Sequence, residues 1–143
     1  MVTSGVVVVA SLRQERRINA DVETVWEIVR RPESIPDWFP GIVSCTVSDN
    51  VRVIRTSTGL DFTEVVLTVD PLLHRFVYRV ISEPLQFHLG VIDIIAVAPG
   101  DCLCIYSTTA EPDVFALLIG GGTSAALDEI KRQAESKEDD ESG

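Results

Sequence analysis

DVFALLIGGGTSAALDEIKRQAESK, residues 113–137, decides the architecture. Apolar or small residues recur at Phe115, Ile119, Gly122, Ala126, Ile130 and Ala134, a spacing of three or four throughout. That spacing draws one stripe down one face of a helix. Glu129, Lys131, Arg132 and Glu135 fall on the other faces. In the middle stands Gly120-Gly121-Gly122, and each glycine inside a helix costs about 1 kcal/mol against alanine. The run either breaks the helix into two pieces or is kept because something must come close to its backbone. A helix this long needs a large apolar surface to lie on, and the rest of the chain must supply it.

The segment before it reads as strands. Residues 6–18 begin valine-rich and then alternate, with Ala10, Leu12, Gln14 and Arg16 on one face of a long first strand. Asp21 is placed to cap a helix carrying Glu23 in its first turn and Arg30 and Arg31 at its end, and Pro32 stops it. Within it Val22, Val25, Trp26 and Val29 keep the helical core spacing. Ile35-Pro36-Asp37-Trp38-Phe39-Pro40-Gly41 fits a second short helical turn whose aromatics plug the core. Strands then follow near 42–48, 51–57, 60–69, 75–82, 86–97 and 102–110. Good turn chemistry divides them, such as Ser48-Asp49-Asn50, Thr58-Gly59 and Ala98-Pro99-Gly100-Asp101. Hairpin spacing makes the sheet antiparallel. Seven strands and one long terminal helix predict an α+β domain over 1–135. Its curved sheet wraps the helix, and a cavity remains wherever the helix leaves the concave face unfilled.

Composition limits the function. The chain has 143 residues, 45% of them hydrophobic, and a formal charge of −10, which fits one folded domain and argues against nucleic acid or an anionic membrane as partner. Residues 136–143 read as a disordered acidic tail. Arg13, Arg16, Arg17, Arg30 and Arg31 read as solvated faces. No apolar run is long enough to span a membrane, and the opening residues lack the basic region of a signal peptide. Cys45, Cys102 and Cys104 are odd in number and lack zinc or redox spacing. Reduced thiols in the cytoplasm are expected, with no metal and no cofactor.

Ala20-Asp21-x-Glu23-Thr24-Val25-Trp26-x-Ile28-Val29, then Trp38-x-Pro40-Gly41-Ile42, resembles the START and birch-pollen-allergen-like superfamily, and within it the bacterial polyketide cyclase/dehydrase and lipid-transport proteins. Glu64-x-x-Leu67-x-x-Asp70 followed by Phe76-x-Tyr78-x-Val80 is similar as well. The resemblance implies a helix-grip fold, with seven antiparallel strands gripping the C-terminal helix, two short helices after strand 1, and an apolar pocket. Plant abscisic-acid receptors share the pattern. Where they carry a ligand-anchoring lysine this chain has Phe39, and where they carry a His-Arg-Leu latch it has Leu85-Gln86-Phe87.

Alternation suggests the pocket wall. If Glu64 points inward, so do Phe62, Val66 and Thr68. Guided by the resemblance, Phe76, Tyr78 and Val80, then Ile92, Ile94 and Ala96, then Cys102, Cys104, Tyr106 and Thr108 follow on neighbouring strands. Phe115, Ile119 and Gly122 complete the wall from the helix. The expected ligand is a hydrophobic small molecule (a lipid, quinone or polyketide-like ring compound) held as by a carrier or sensor. A buried Glu64 has a raised pKa and can anchor a ligand or act as acid and base, with Tyr78 and Tyr106 as hydrogen-bond donors. An aromatase/cyclase-type enzyme is the alternative, although this reconstructed face holds neither arginine nor histidine. A third reading makes the apolar segment 114–119 a protein contact, in a homodimer for example. Cys102 and Cys104 lack a partner that would activate a thiol and read as core.

Overall fold

The computed structural model describes residues 9–142. The valine-rich opening expected as strand therefore lies, at 6–8, outside the described residues. Strand β1 (Ala10–Ile18) leads into helix α1 (Val22–Val29), a single 3₁₀ turn (Pro32–Ser34) and the short helix α2 (Ile35–Trp38). Six strands follow: β2 (Ile42–Ser48), β3 (Val51–Thr56), β4 (Asp61–Asp70), β5 (Arg75–Val80), β6 (Phe87–Ala98) and β7 (Asp101–Glu111). Helix α3 (Val114–Ser142) closes the chain.

All seven strands lie in one antiparallel sheet, in the order β1-β7-β6-β5-β4-β3-β2. The sheet is open, with β1 and β2 at its edges. Register shifts at 42/44 in β2, 66/68 in β4 and 96/98 in β6 interrupt the ladders. Such bulges bend and twist a strand locally, which lets a seven-stranded sheet curl around a helix.

Helix α3 is continuous through Gly120, Gly121 and Gly122, so the glycines do not divide it. They permit close approach instead. A β-carbon at Gly120 would stand 2.6 Å from Leu12 Cδ1, and one at Gly122 would stand 3.1 Å from the Phe39 ring. The Gly120 carbonyl also accepts from Gln14 Nε2 at 2.6 Å and from Thr123 Oγ1 at 3.0 Å, tying α3 to β1. Ala126, Leu127, Ile130 and Ala134 bury the stripe beyond this point.

Three expectations change. The segment from 136 was expected to be disordered, yet α3 runs on to Ser142. Glu135 and Glu138 hold it there: Glu135 accepts from the Asn19 N–H at 2.9 Å, and Glu138 accepts from the Asp21 N–H and the Thr24 hydroxyl. Asp21 sits at the N-cap of α1, but its side chain accepts from the Gly100 N–H at 2.7 Å in place of capping its own helix. Arg16 was expected on a solvated face. It reaches under α3, donating to Asp128 and to the Ser124 hydroxyl at 2.8 Å each.

The core has two contributors. Helix α1 buries Val25, Trp26, Ile28 and Val29, each aliphatic of this kind being worth about 1.5–3 kcal/mol on burial. Against them pack Trp38 and the inner faces of β5–β7 with α3. Helix α3 rests mainly on β1 and β7. Part of the concave side of β3, β4 and β5 is therefore left free of α3.

Candidate functional site

Where α3 leaves the sheet uncovered there is a cavity of about 580 Å³. That lies within the range of about 300–1,000 Å³ that small-molecule sites occupy. Its wall comes from Ile35 and Phe39 of the α2 region, Ile54 of β3, Phe62 and Glu64 of β4, and Tyr78 and Val80 of β5. Phe115, Leu118, Ile119 and Gly122 add the first turns of α3. The exposed residues Leu60, Asp61, Glu83 and Pro84 form the mouth.

Seven of the expected wall residues meet at this cavity: Phe62, Glu64, Tyr78, Val80, Phe115, Ile119 and Gly122. Val66, Ile92, Ile94, Cys104 and Tyr106 do not. Ile92, Ile94, Cys104 and Tyr106 point to the same concave side but lie in the closed core, and Val66 packs half-buried against that core. Alternation identifies a face of the sheet, whereas the part of that face left open depends on where α3 lies. Ala96 is exposed, next to the 96/98 register shift. Trp38 is a core residue, as expected of an aromatic plug, while its neighbour Phe39 forms wall.

At Glu64 and behind it, outside the cavity wall, the structure holds more polar groups than the reconstructed face did. Arg52, 1% exposed, stands directly opposite Glu64, 6% exposed, across the β3–β4 ladder. Arg52 Nε donates to Glu64 Oε1 at 2.7 Å and its Nη1 to the Pro32 carbonyl at 2.9 Å. The guanidinium lies over the rings of Tyr78 and Phe76, 4.9 and 5.4 Å from their centroids, a geometry in which the ring quadrupole attracts a cation. The arginine is legible from the alternation Arg52–Ile54, both facing inward, and from the hairpin that sets it against Glu64.

His88 is the second addition. It is fully buried on the same face of β6 as Ile92 and Ile94, and it borders the cavity. Its Nδ1 accepts from the Val80 N–H at 2.9 Å, which puts the ring proton on Nε2, an atom with no partner. Burial pushes the imidazole pKa down to about 4, so the ring is neutral near pH 7.

The Tyr78 and Tyr106 hydroxyls bond each other at 2.5 Å. Burial pushes both phenols up, away from ionisation. Tyr78 lies flat along β6 because its cross-strand neighbour is Gly90, where a β-carbon would stand 2.5 Å from the ring. Burial likewise raises the Glu64 carboxyl, and the Arg52 charge opposes it. Burial also pushes up the Cys102 thiol, to about 11, and the Cys104 thiol further, which fits core packing better than nucleophilic chemistry. No group of His, Cys, Asp and Glu suited to a metal ion occurs among the described residues. No helix among them is long and apolar enough to cross a membrane.

A curved antiparallel sheet gripping a long C-terminal helix, with an apolar cavity between them, defines a START-type helix-grip protein. The chain belongs to the polyketide cyclase/dehydrase and lipid transport family, whose model matches residues 9–135. The protein XoxI from Bacillus cereus has a similar structure, with a TM-score of 0.83 at 22% identity over 90% of this chain and 98% of that one. Norcoclaurine synthase from Thalictrum flavum, solved as a point mutant with a transition-state analogue, gives 0.75 at 16% identity over 92% and 97%. A START superfamily protein from Mycobacterium smegmatis gives 0.73 at 15% over 88% and 97%. At these identities the likeness is one of fold. No curated protein matches the chain by sequence.

Proposed function

We propose that the protein binds a small hydrophobic ligand in the cavity between sheet and α3, as a carrier or sensor. The observation that carries this reading is the cavity itself: about 580 Å³, walled mainly by apolar and aromatic side chains, with few polar groups, Glu64 and His88 within and Asp61 and Glu83 at the mouth. Such a division lets apolar area supply affinity and a few placed polar atoms set orientation. Leu118 borders the cavity and is 67% exposed, so the first turns of α3 make one lip of its mouth. Native mass spectrometry of freshly purified protein, compared with the denatured sample, tests the reading. A discrete extra mass lost on denaturation is expected. A clean apo mass, with no uptake of any added apolar probe, would overturn it.

The second reading is an enzyme of the cyclase or dehydrase type, favoured by Glu64, Tyr78 and His88 converging on one end of the cavity. A carboxyl raised by burial is suited to exchanging protons with a bound carbonyl compound. Glu64→Gln separates the two. It weakens binding modestly in a carrier, whereas in an enzyme it abolishes turnover while binding persists.

A further inference from the structure

The cavity wall contains three carboxylates, Asp61, Glu64 and Glu83, and neither an arginine nor a lysine. The one buried guanidinium nearby is withdrawn from it. Arg52 gives Nε to Glu64 and Nη1 to Pro32, and the Tyr78 ring lies against its face. Its Nη2 has no partner, but Arg52 does not border the cavity. Asp61 at the mouth is paired with Arg55 at 2.9 Å, and Glu83 is exposed. No cation therefore faces a ligand, and an anionic head group would have to shed its water against carboxylates, an uncompensated desolvation.

Glu64 is different from the two acids at the mouth. Only its Oε1 receives the bond from Arg52, and the residue borders the cavity with Tyr78 and Phe39 beside it. A carboxylate held in place on one oxygen offers the other as an acceptor. Phe39, Phe62, Tyr78 and Phe115 supply flat aromatic faces around it.

Resting on the ligand-binding reading above, we propose that the site selects an uncharged ring compound bearing a hydroxyl, which donates to the free oxygen of Glu64, and rejects the carboxylate analogue of the same shape. The Arg52–Glu64 pair is then the orienting device. It fixes the acceptor without presenting a positive charge.

Three fluorescent probes of nearly equal shape test this at pH 7: 2-naphthol, 2-methoxynaphthalene and 2-naphthoate. Naphthol is expected to bind roughly fivefold more tightly than the methoxy compound, the worth of one net hydrogen bond, and naphthoate at least roughly tenfold more weakly than naphthol. Equal binding of naphthol and methoxynaphthalene, or naphthoate binding as well as naphthol, overturns the head-group assignment while the cavity reading stands. Binding of none of the three overturns the cavity reading itself. In the double variant Arg52→Met/Glu64→Leu, which removes the pair together, the preference for naphthol over methoxynaphthalene is expected to vanish. Retention of that preference overturns the assignment to Glu64. Should the variant not fold, the wild-type ranking decides alone.

Discussion

Arg52 and Glu64 are a buried ion pair made by register alone, since residues 52 and 64 oppose each other across the β3–β4 hairpin. Taking two charges out of water is costly, and the pair holds because each charge removes the penalty of the other. Breaking it one-sidedly is therefore worse than deleting it. Arg52→Met is expected to cost about 3–5 kcal/mol, because a carboxyl remains in an apolar wall, whereas Arg52→Met/Glu64→Leu should recover most of the loss. Urea unfolding of both variants checks this, and equal destabilisation in the two would contradict it. A second single-residue test concerns Gly90. A methyl there meets the rigid part of the Tyr78 ring, so Gly90→Ala should cost about 1–3 kcal/mol as an overpacking change. It should also separate the Tyr78 and Tyr106 hydroxyls, which a changed tyrosine ultraviolet spectrum would report.

At the scale of the element, α3 explains why three adjacent glycines persist in a helix. They are not equivalent. Gly122 approaches the Phe39 ring and Gly120 approaches Leu12, but a β-carbon at Gly121 meets nothing within 4 Å. Gly121→Ala should accordingly raise stability by about 0.5–1 kcal/mol through helix propensity. Gly122→Ala should gain less or lose, because Phe39 must move by a few tenths of an ångström, and it moves into the cavity wall. Thermal melts of the two variants give the order, and a larger gain for Gly122→Ala would contradict the close-approach account. The helix stripe was legible in sequence because its period is local. Which of the glycines is needed was not, since that depends on residues more than eighty positions away, in β1 and just after α2. The same reasoning covers the cavity wall. Phe62, Glu64, Tyr78 and Val80 followed from alternation within single strands, but Arg52, which holds Glu64 from behind the wall, required the register between two, and arginine is ordinarily an exposed residue. Ile92, Ile94 and Tyr106 share the inner face, and only the resting places of α1, α2 and α3 decide that they are core.

For the molecule as a whole, the cavity is a consequence of unequal coverage: α3 lies on β1 and β7, and the far strands of the same sheet are left to line the cavity. Keeping such a site apolar imposes a pH dependence on the fold. His88 is buried neutral, with its pKa lowered from 6.5 to about 4. The unfolded chain takes up a proton at His88 below about pH 6.5, whereas the folded chain does not until about pH 4. The unfolded state thus binds more protons between these values, and stability falls as pH is lowered through that window. The full loss is on the order of 3 kcal/mol, with no His88 contribution above the window. Glu64 acts with the opposite sign: its raised pKa makes the neutral form easier to bury, so its share of stability is present in acid and declines as pH rises. The salt-bridged acids, such as Glu129 with its pKa near 2, add to the acid loss only below their own unfolded values near 4.5. Between pH 6.5 and 4.5 those acids add nothing, but Glu64 opposes the histidine there, so the loss due to His88 is read in Glu64→Gln, where the opposing share is absent. With only His74 and His88 in the chain, imidazole NMR can follow each ring separately. One ring should stay neutral through pH 5 while the urea midpoint of Glu64→Gln falls over the same range. A His88 midpoint near its ordinary value would mean that water reaches the ring, and the closed polar end of the cavity would then have to be redrawn as solvated.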